Sequence, residues 1–184
     1  TTHYRNRMDF VISFKGEVGL REKGKWWRVI DDHTCFLGDE KIESLFPIVR
    51  TWAKESGLSF FDRKSNIGTL RYAVIRSSSI GETMIIIVTS APNGESQSGE
   101  GNVSMIVDTN DDAAKIEAAL ADLAKNAGAT TVVWSINHTI SDVSFGDDLR
   151  VIDGPGAINE SIDGTKFQIS PNAFFQTNSY AAPM

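Results

Sequence analysis

Cysteine is almost missing from these 184 residues: Cys35 stands alone. A disulfide framework is therefore excluded, and a reducing cytoplasm is the compartment that fits best. Long apolar runs are missing too. The longest, Met84 to Val88, falls far short of the ~20 residues that span a bilayer, and the N-terminus has no basic-then-apolar leader pattern. Histidine is scarce, with only His3, His33 and His138, widely separated. No His-Glu-x-x-His, no serine in a nucleophile elbow and no glycine-rich phosphate loop occur. Gly154-Pro155-Gly156 resembles the start of a dinucleotide fingerprint but lacks the third glycine and the following helix, and reads as a turn. Three Asn-x-Ser/Thr sequons, at Asn102, Asn137 and Asn159, read as chance in a chain without a secretion signal.

What remains is an ordinary globular composition, 41% hydrophobic and 23% charged. The net charge of −6 argues at first against nucleic acid, but it is unevenly spread. Residues 1–30 hold seven Lys/Arg against three acids; the rest holds 11 against 21. A basic stripe on an acidic body is able to meet phosphates locally, although solvated strands carry such charges equally well.

The stripe lies on a predicted three-stranded antiparallel meander. Met8, Phe10, Ile12 and Phe14 alternate with Asp9, Val11 and Ser13, Lys15-Gly16 turns, Val18 to Glu22 returns, and Lys23-Gly24-Lys25 turns into Trp26 to Ile30. Trp26 and Trp27, as strand neighbours, are expected on opposite faces, one of them in the core. Asp39 to Ser56 is predicted helical, with Ile42, Leu45, Phe46, Val49, Trp52 and Ala53 on one stripe and Gly57 ending it. Pro47 should kink this helix or mark its first turn. Thr69–Ile75 and Thr83–Thr89 read as a strand pair, Pro92–Asn102 as a polar loop and Val103–Val107 as a short strand. A second helix, Asp111 to Ala127, has Asn110 as expected N-cap and Gly128 as C-cap. Strands follow at Thr130–Ile136, Leu149–Ile152, Ile158–Ile162 and Lys166–Ile169, the last two joined at Asp163-Gly164. The expected class is α+β, a mainly antiparallel sheet with two main covering helices.

Several blocks carry a family likeness in order along the chain. They are Tyr4-Arg5-Asn6-Arg7-Met8, Gly19-Leu20-Arg21, the Val29-Ile30-Asp31 lead-in to Cys35, and Gly68-Thr69-Leu70-Arg71. Then come Ser135-Ile136-Asn137 with Asp142-Val143, and Gly154-Pro155 with Ile158, Glu160 and Ile162-Asp163-Gly164. The last is Phe167-x-Ile169-Ser170-Pro171-x-x-Phe174-Phe175-Gln176-x-Asn178. Each block is weak, but the ordered set resembles the S-adenosylmethionine-dependent RNA (uracil-C5) methyltransferases, which modify tRNA or rRNA.

The resemblance implies a three-part parent protein: an N-terminal RNA-binding module, a central domain often carrying an iron–sulfur cluster, and a C-terminal Rossmann-like domain for S-adenosylmethionine. Residues 1–170 match the central domain, and 171–184 the start of the third part. In such enzymes a thiolate adds to C6 of the uracil, C5 attacks the methyl sulfonium, and a base removes the C5 proton. The nucleophile and the glycine-rich cofactor loop are not expected in this piece, so no catalytic residue is assigned, the piece alone is expected to be inactive, and the end at Tyr180–Met184 is read as a truncation. By resemblance, Gln176 and Phe174 contribute to the cofactor site. Arg5, Arg7 and Phe175 are RNA-binding candidates. Cys35 corresponds to one thiolate of a cluster that needs four, so it is expected to be metal-free here. RNA and the rest of its own chain are the expected partners; no membrane is. The alternative reading is a non-catalytic RNA-binding or structural module.

Overall fold

A computed structural model describes residues 2–31, 35–93, 111–179 and 181. The elements are β1 (Arg7–Ile12), β2 (Val18–Glu22), β3 (Lys25–Asp31), α1 (Glu40–Glu55), β4 (Leu70–Ser77), β5 (Thr83–Ser90), α2 (Ala113–Ala127), β6 (Thr131–Asn137), β7 (Asp148–Asp153), β8 (Ile158–Ile162) and β9 (Thr165–Ile169). The first seven strands form one sheet in the order β3-β2-β1-β4-β5-β6-β7, and β8–β9 form a separate hairpin. Every pair is antiparallel except β5–β6, whose right-way-round return requires a long crossover, supplied by the segment containing α2. The class is α+β, as the patterns imply.

Period-two alternation sorts the strands between two cores. Met8, Phe10 and Ile12 join Ala73, Ile75, Ile85, Ile87, Val132 and Trp134 beneath the apolar stripes of α1 and α2. Tyr72, Val74, Met84, Ile86, Val88 and Val133 face the other way, against Ile158 and Ile169 of the hairpin. With both faces covered, β4 and β5 are buried throughout. That explains why Met84–Val88 is a continuous apolar run rather than an alternating one. Asp163 (φ 48°) and Gly164 (φ 77°) are both left-handed, the geometry of a two-residue primed turn.

Four expectations need correction. Trp26 and Trp27 are both exposed, at 58% and 61%: β3 is an edge strand paired only with β2, so no layer covers either face of its first half. Phe14 lies beyond the end of β1 and is 52% exposed. Pro47 is the eighth residue of an uninterrupted α1 capped by Asp39, so it does not mark the first turn. The second helix starts at Ala113, with the Asp112 side chain accepting from the Lys115 amide at 2.8 Å. Asn110 and the expected strand Val103–Val107 lie outside the described residues.

Candidate functional site

Past β9 the chain runs back over the sheet as a strap, Ser170 to Ser179, without regular structure. Extended backbone laid on a sheet face must find partners for its carbonyls. Here one side chain meets three of them. Arg76 of β4 is 2% exposed, and its Nη1 donates to the carbonyls of Ser170 (3.2 Å), Pro171 (3.2 Å) and Ala173 (3.0 Å). Burial lowers its pKa to about 10; the neighbouring Arg7 charge acts in the same direction and Asp9 opposes it. The guanidinium therefore stays charged at neutral pH.

Two further side chains fasten the strap's far end. Asn6, just before β1, takes the strap's main chain from two sides. Its amide N–H donates to the Thr177 carbonyl (2.9 Å), and its Nδ2 to the Gln176 carbonyl (2.9 Å) and Ser179 Oγ (2.7 Å). Ser179 Oγ in turn donates to Glu160 of β8 at 2.9 Å. Glu160 is 1% exposed and also accepts from the Ser79 amide (3.1 Å), the Ser79 hydroxyl and the Ser161 amide (2.8 Å). Burial alone would raise this carboxyl; the converging donors outweigh it and hold it below the ordinary value. Asn172 Nδ2 adds a bond to the Gly146 carbonyl at 2.8 Å.

The strap thus gathers several residues singled out in the sequence. Phe174 is 87% exposed, and Gln176 is exposed while its main-chain carbonyl is held by Asn6. Phe175 is half-buried, packed against the second core and edge-on to Phe167 with centroids 5.7 Å apart. Asn178 caps the next turn, accepting from the Ala181 amide at 3.1 Å. Arg5 and Arg7 flank Asn6, so they stand beside the strap. Arg7 is bound in a fork by Asp9 (2.8 and 3.0 Å), which offsets much of its charge. Arg5 is exposed, and its main chain is clamped between the Leu37 carbonyl and the Asp39 amide (2.8 and 2.9 Å).

Cys35 sits apart, in the turn between β3 and α1, as a free thiol packed partly against the first core. No group of three or more His, Cys, Asp or Glu able to hold a metal occurs among the described residues, so these residues do not fit an iron–sulfur cluster. Among the described residues no helix is long and apolar enough to cross a membrane.

Sequence reasoning missed Arg76 as a site residue and gave no role to Asn6 or Glu160. Both Asn6 and Glu160 lie inside the ordered blocks, which was the available signal. Arg76 had none, because its partners are main-chain carbonyls some 94 to 97 residues away.

Known proteins resemble this chain in sequence and fold. No family model matches the chain. A tRNA (uracil(54)-C(5))-methyltransferase of Pyrococcus horikoshii is 33% identical over 181 residues, covering 97% of this chain and 38% of that protein. An uncharacterized RNA methyltransferase of Caldanaerobacter subterraneus is 31% identical over 188 residues, covering 97% and 37%. The crystal structure of the Pyrococcus abyssi tRNA (uracil-54, C5)-methyltransferase in complex with S-adenosyl-L-homocysteine superposes with a TM-score of 0.71 at 31% identity, over 97% of this chain and 38% of that one. The chain thus spans about two-fifths or less of the length of the curated relatives it matches. The likeness carried by the ordered blocks extends over nearly the whole chain.

Proposed function

We propose that this chain is a segment of an S-adenosylmethionine-dependent RNA (uracil-C5) methyltransferase, with residues 1–170 as the central domain and 171–184 as the start of the cofactor domain. The observation that carries the reading is the 33% identity running through 97% of the chain to a tRNA (uracil(54)-C(5))-methyltransferase. The strap geometry supports it. A segment whose main chain is held by Arg76 and Asn6, and whose Ser179 hydroxyl is held by Glu160, while Phe174 and Gln176 are exposed, suits a passage into a second unit. In the whole protein S-adenosylmethionine would supply the methyl group. The residues described offer only one edge of its site, Gln176 as an amide donor or acceptor and Phe174 as an apolar wall. Uridine 54 of a tRNA, the target in the relatives' names, is the substrate we propose for the whole protein. Cys35 would serve a cluster only if three more thiolates came from beyond this chain.

RNA would meet this segment along Arg5 and Arg7, with Phe175 beside them, where the strap crosses the start of β1. The test is binding of the 184-residue chain to tRNA and rRNA hairpins over a salt series. Phosphate contacts give an affinity that falls with salt, and Arg5→Ala is expected to weaken binding and to reduce the salt slope by about one. Arg7→Ala is expected to do less, because Asp9 already holds that guanidinium. Affinity independent of salt and untouched by either change would favour the structural module instead.

A further inference from the structure

The hairpin and strap do not cover the β3 end of the sheet. A cavity of about 450 Å³ opens there between the meander and the segment leading into β4. Its mouth is aromatic. Trp26 and Trp27 meet edge-to-face with centroids 5.8 Å apart, both more than half exposed, and Phe14 stands at the same opening. Large exposed aromatics gathered at one opening mark a binding surface more often than chance.

Its charge is one-sided. Lys15, Arg21, Arg63, Lys64 and Arg71 line it against only Asp62 and Asp142. Asp142 is already taken by Arg21 and Arg63, both at 2.7 Å, and by the Tyr72 hydroxyl. Asp62 accepts from the Lys64 amide (3.0 Å) and the Ser65 hydroxyl (3.2 Å). Arg63 also stands over the Trp26 ring, 5.2 Å from its centroid, and Lys15 lies 5.6 Å from that of Phe14.

An independent sign of a missing partner comes from two buried donors. Arg71 is 3% exposed. Its terminal nitrogens donate to the carbonyls of Thr139 (2.6 Å) and Ser141, and the guanidinium stacks on Phe61 at 4.3 Å. Its Nε–H is buried without an acceptor, and so is that of Arg21. Orphaned buried N–H groups are rare in native proteins because each forfeits its hydration for nothing.

We propose that this cavity receives an unpaired nucleotide of an RNA strand. The base stacks at the Trp26–Trp27 mouth, its carbonyl oxygens face the Arg71 and Arg21 side chains that line the cavity, and the adjoining phosphates meet Lys15 and Lys64. A flat ring with carbonyl edges on an anionic backbone answers the aromatic, donor and charge features together. The choice of RNA rests on the preceding functional reading, but the surface and its readout are separate.

Trp52 and Trp134, the other two tryptophans, are 7% and 0% exposed. Fluorescence quenching of the 184-residue chain therefore reports Trp26 and Trp27. The probe is single-stranded oligouridylate, titrated alongside an RNA duplex of equal length and an oligoglutamate peptide. We expect quenching by the single strand in preference to the other two. Trp26→Ala and Trp27→Ala should each weaken it on the order of tenfold, with Trp27→Phe recovering part. Equal affinity of the alanine variants, or binding of the duplex or the peptide as tight as the single strand, overturns the proposal. If the salt slope is indifferent to Arg5 while the tryptophan variants lose the oligonucleotide, the Arg5–Arg7 surface fails and this site stands. If the reverse holds, this site fails alone.

Discussion

Replacing Arg76 by methionine should free the strap from the sheet without dismantling the sheet. Methionine keeps most of the stem's apolar packing and removes the donor that meets the carbonyls of Pro171 and Ala173, and one of the two that meet the carbonyl of Ser170. All three bonds come from one nitrogen, which has two hydrogens, so two full-strength bonds is the most that is lost at once. Leaving two buried carbonyls without a donor costs ~1–3 kcal/mol each. The strap is able to relieve part of this by lifting into water, which puts the effective loss at ~2–4 kcal/mol. Opening of the strap should then become about thirty- to a thousandfold more frequent. Hydrogen exchange resolves this site by site. The Ala173 amide, bonded to the Ser170 carbonyl at 3.1 Å, and the Asn6 amide, bonded to the Thr177 carbonyl at 2.9 Å, should exchange faster by that factor. The Ile86 amide at the centre of β5 should change far less. Unchanged exchange at Ala173 and Asn6, or equal acceleration at all three, would refute the view that the guanidinium is the strap's principal fastening.

Glu160→Gln should loosen the same strap in a pH-dependent way. The folded-state pKa lies below the ordinary 4.5, so the carboxylate's contribution is present above about that pH and is lost as pH falls through the folded value. The gap between parent and variant in urea midpoint should be widest at neutral pH and close in acid; a gap that grows in acid would contradict the geometry. Asp111, 1% exposed, joins the segment after α1 to the start of α2. It accepts from Ser59, Thr69 and Lys115, and these bonds outweigh burial to leave its pKa at about 2. Asp111→Asn should therefore cost about 2 kcal/mol at pH 7. That difference should fade between about pH 4 and pH 2, as read from denaturation at each pH.

The strands and helices were legible wherever one face met solvent. The alternation of Met8, Phe10 and Ile12 and the stripe from Ile42 to Ala53 each state their own burial. The parallel pairing of β5 with β6 was not legible, because both strands are buried on both faces and read the same in either direction. The tryptophan pair misled for a related reason: alternation tells opposite faces apart but not whether either face is covered. Among the candidate site residues, Gln176 and Phe174 were reached through resemblance and Arg5 and Arg7 through the basic stripe and strand alternation, and all four lie on or beside the strap. The groups that hold the strap act on main-chain atoms far along the chain, and a carbonyl leaves no mark in a sequence.

Asn6 and the strap meet across most of the described sequence, and that contact bears on how this segment folds. β1 is flanked by β2 on one side and β4 on the other, and Arg7 pairs with Arg76, about seventy residues later. Asn6 is secured by Gln176, 170 residues away. During synthesis the meander must therefore wait with the bare edge of β1 open until β4 emerges, a period in which that edge is free to pair wrongly. The contacts between Asn6 and the strap close the longest loop in this segment, which makes them entropically costly and slow to form.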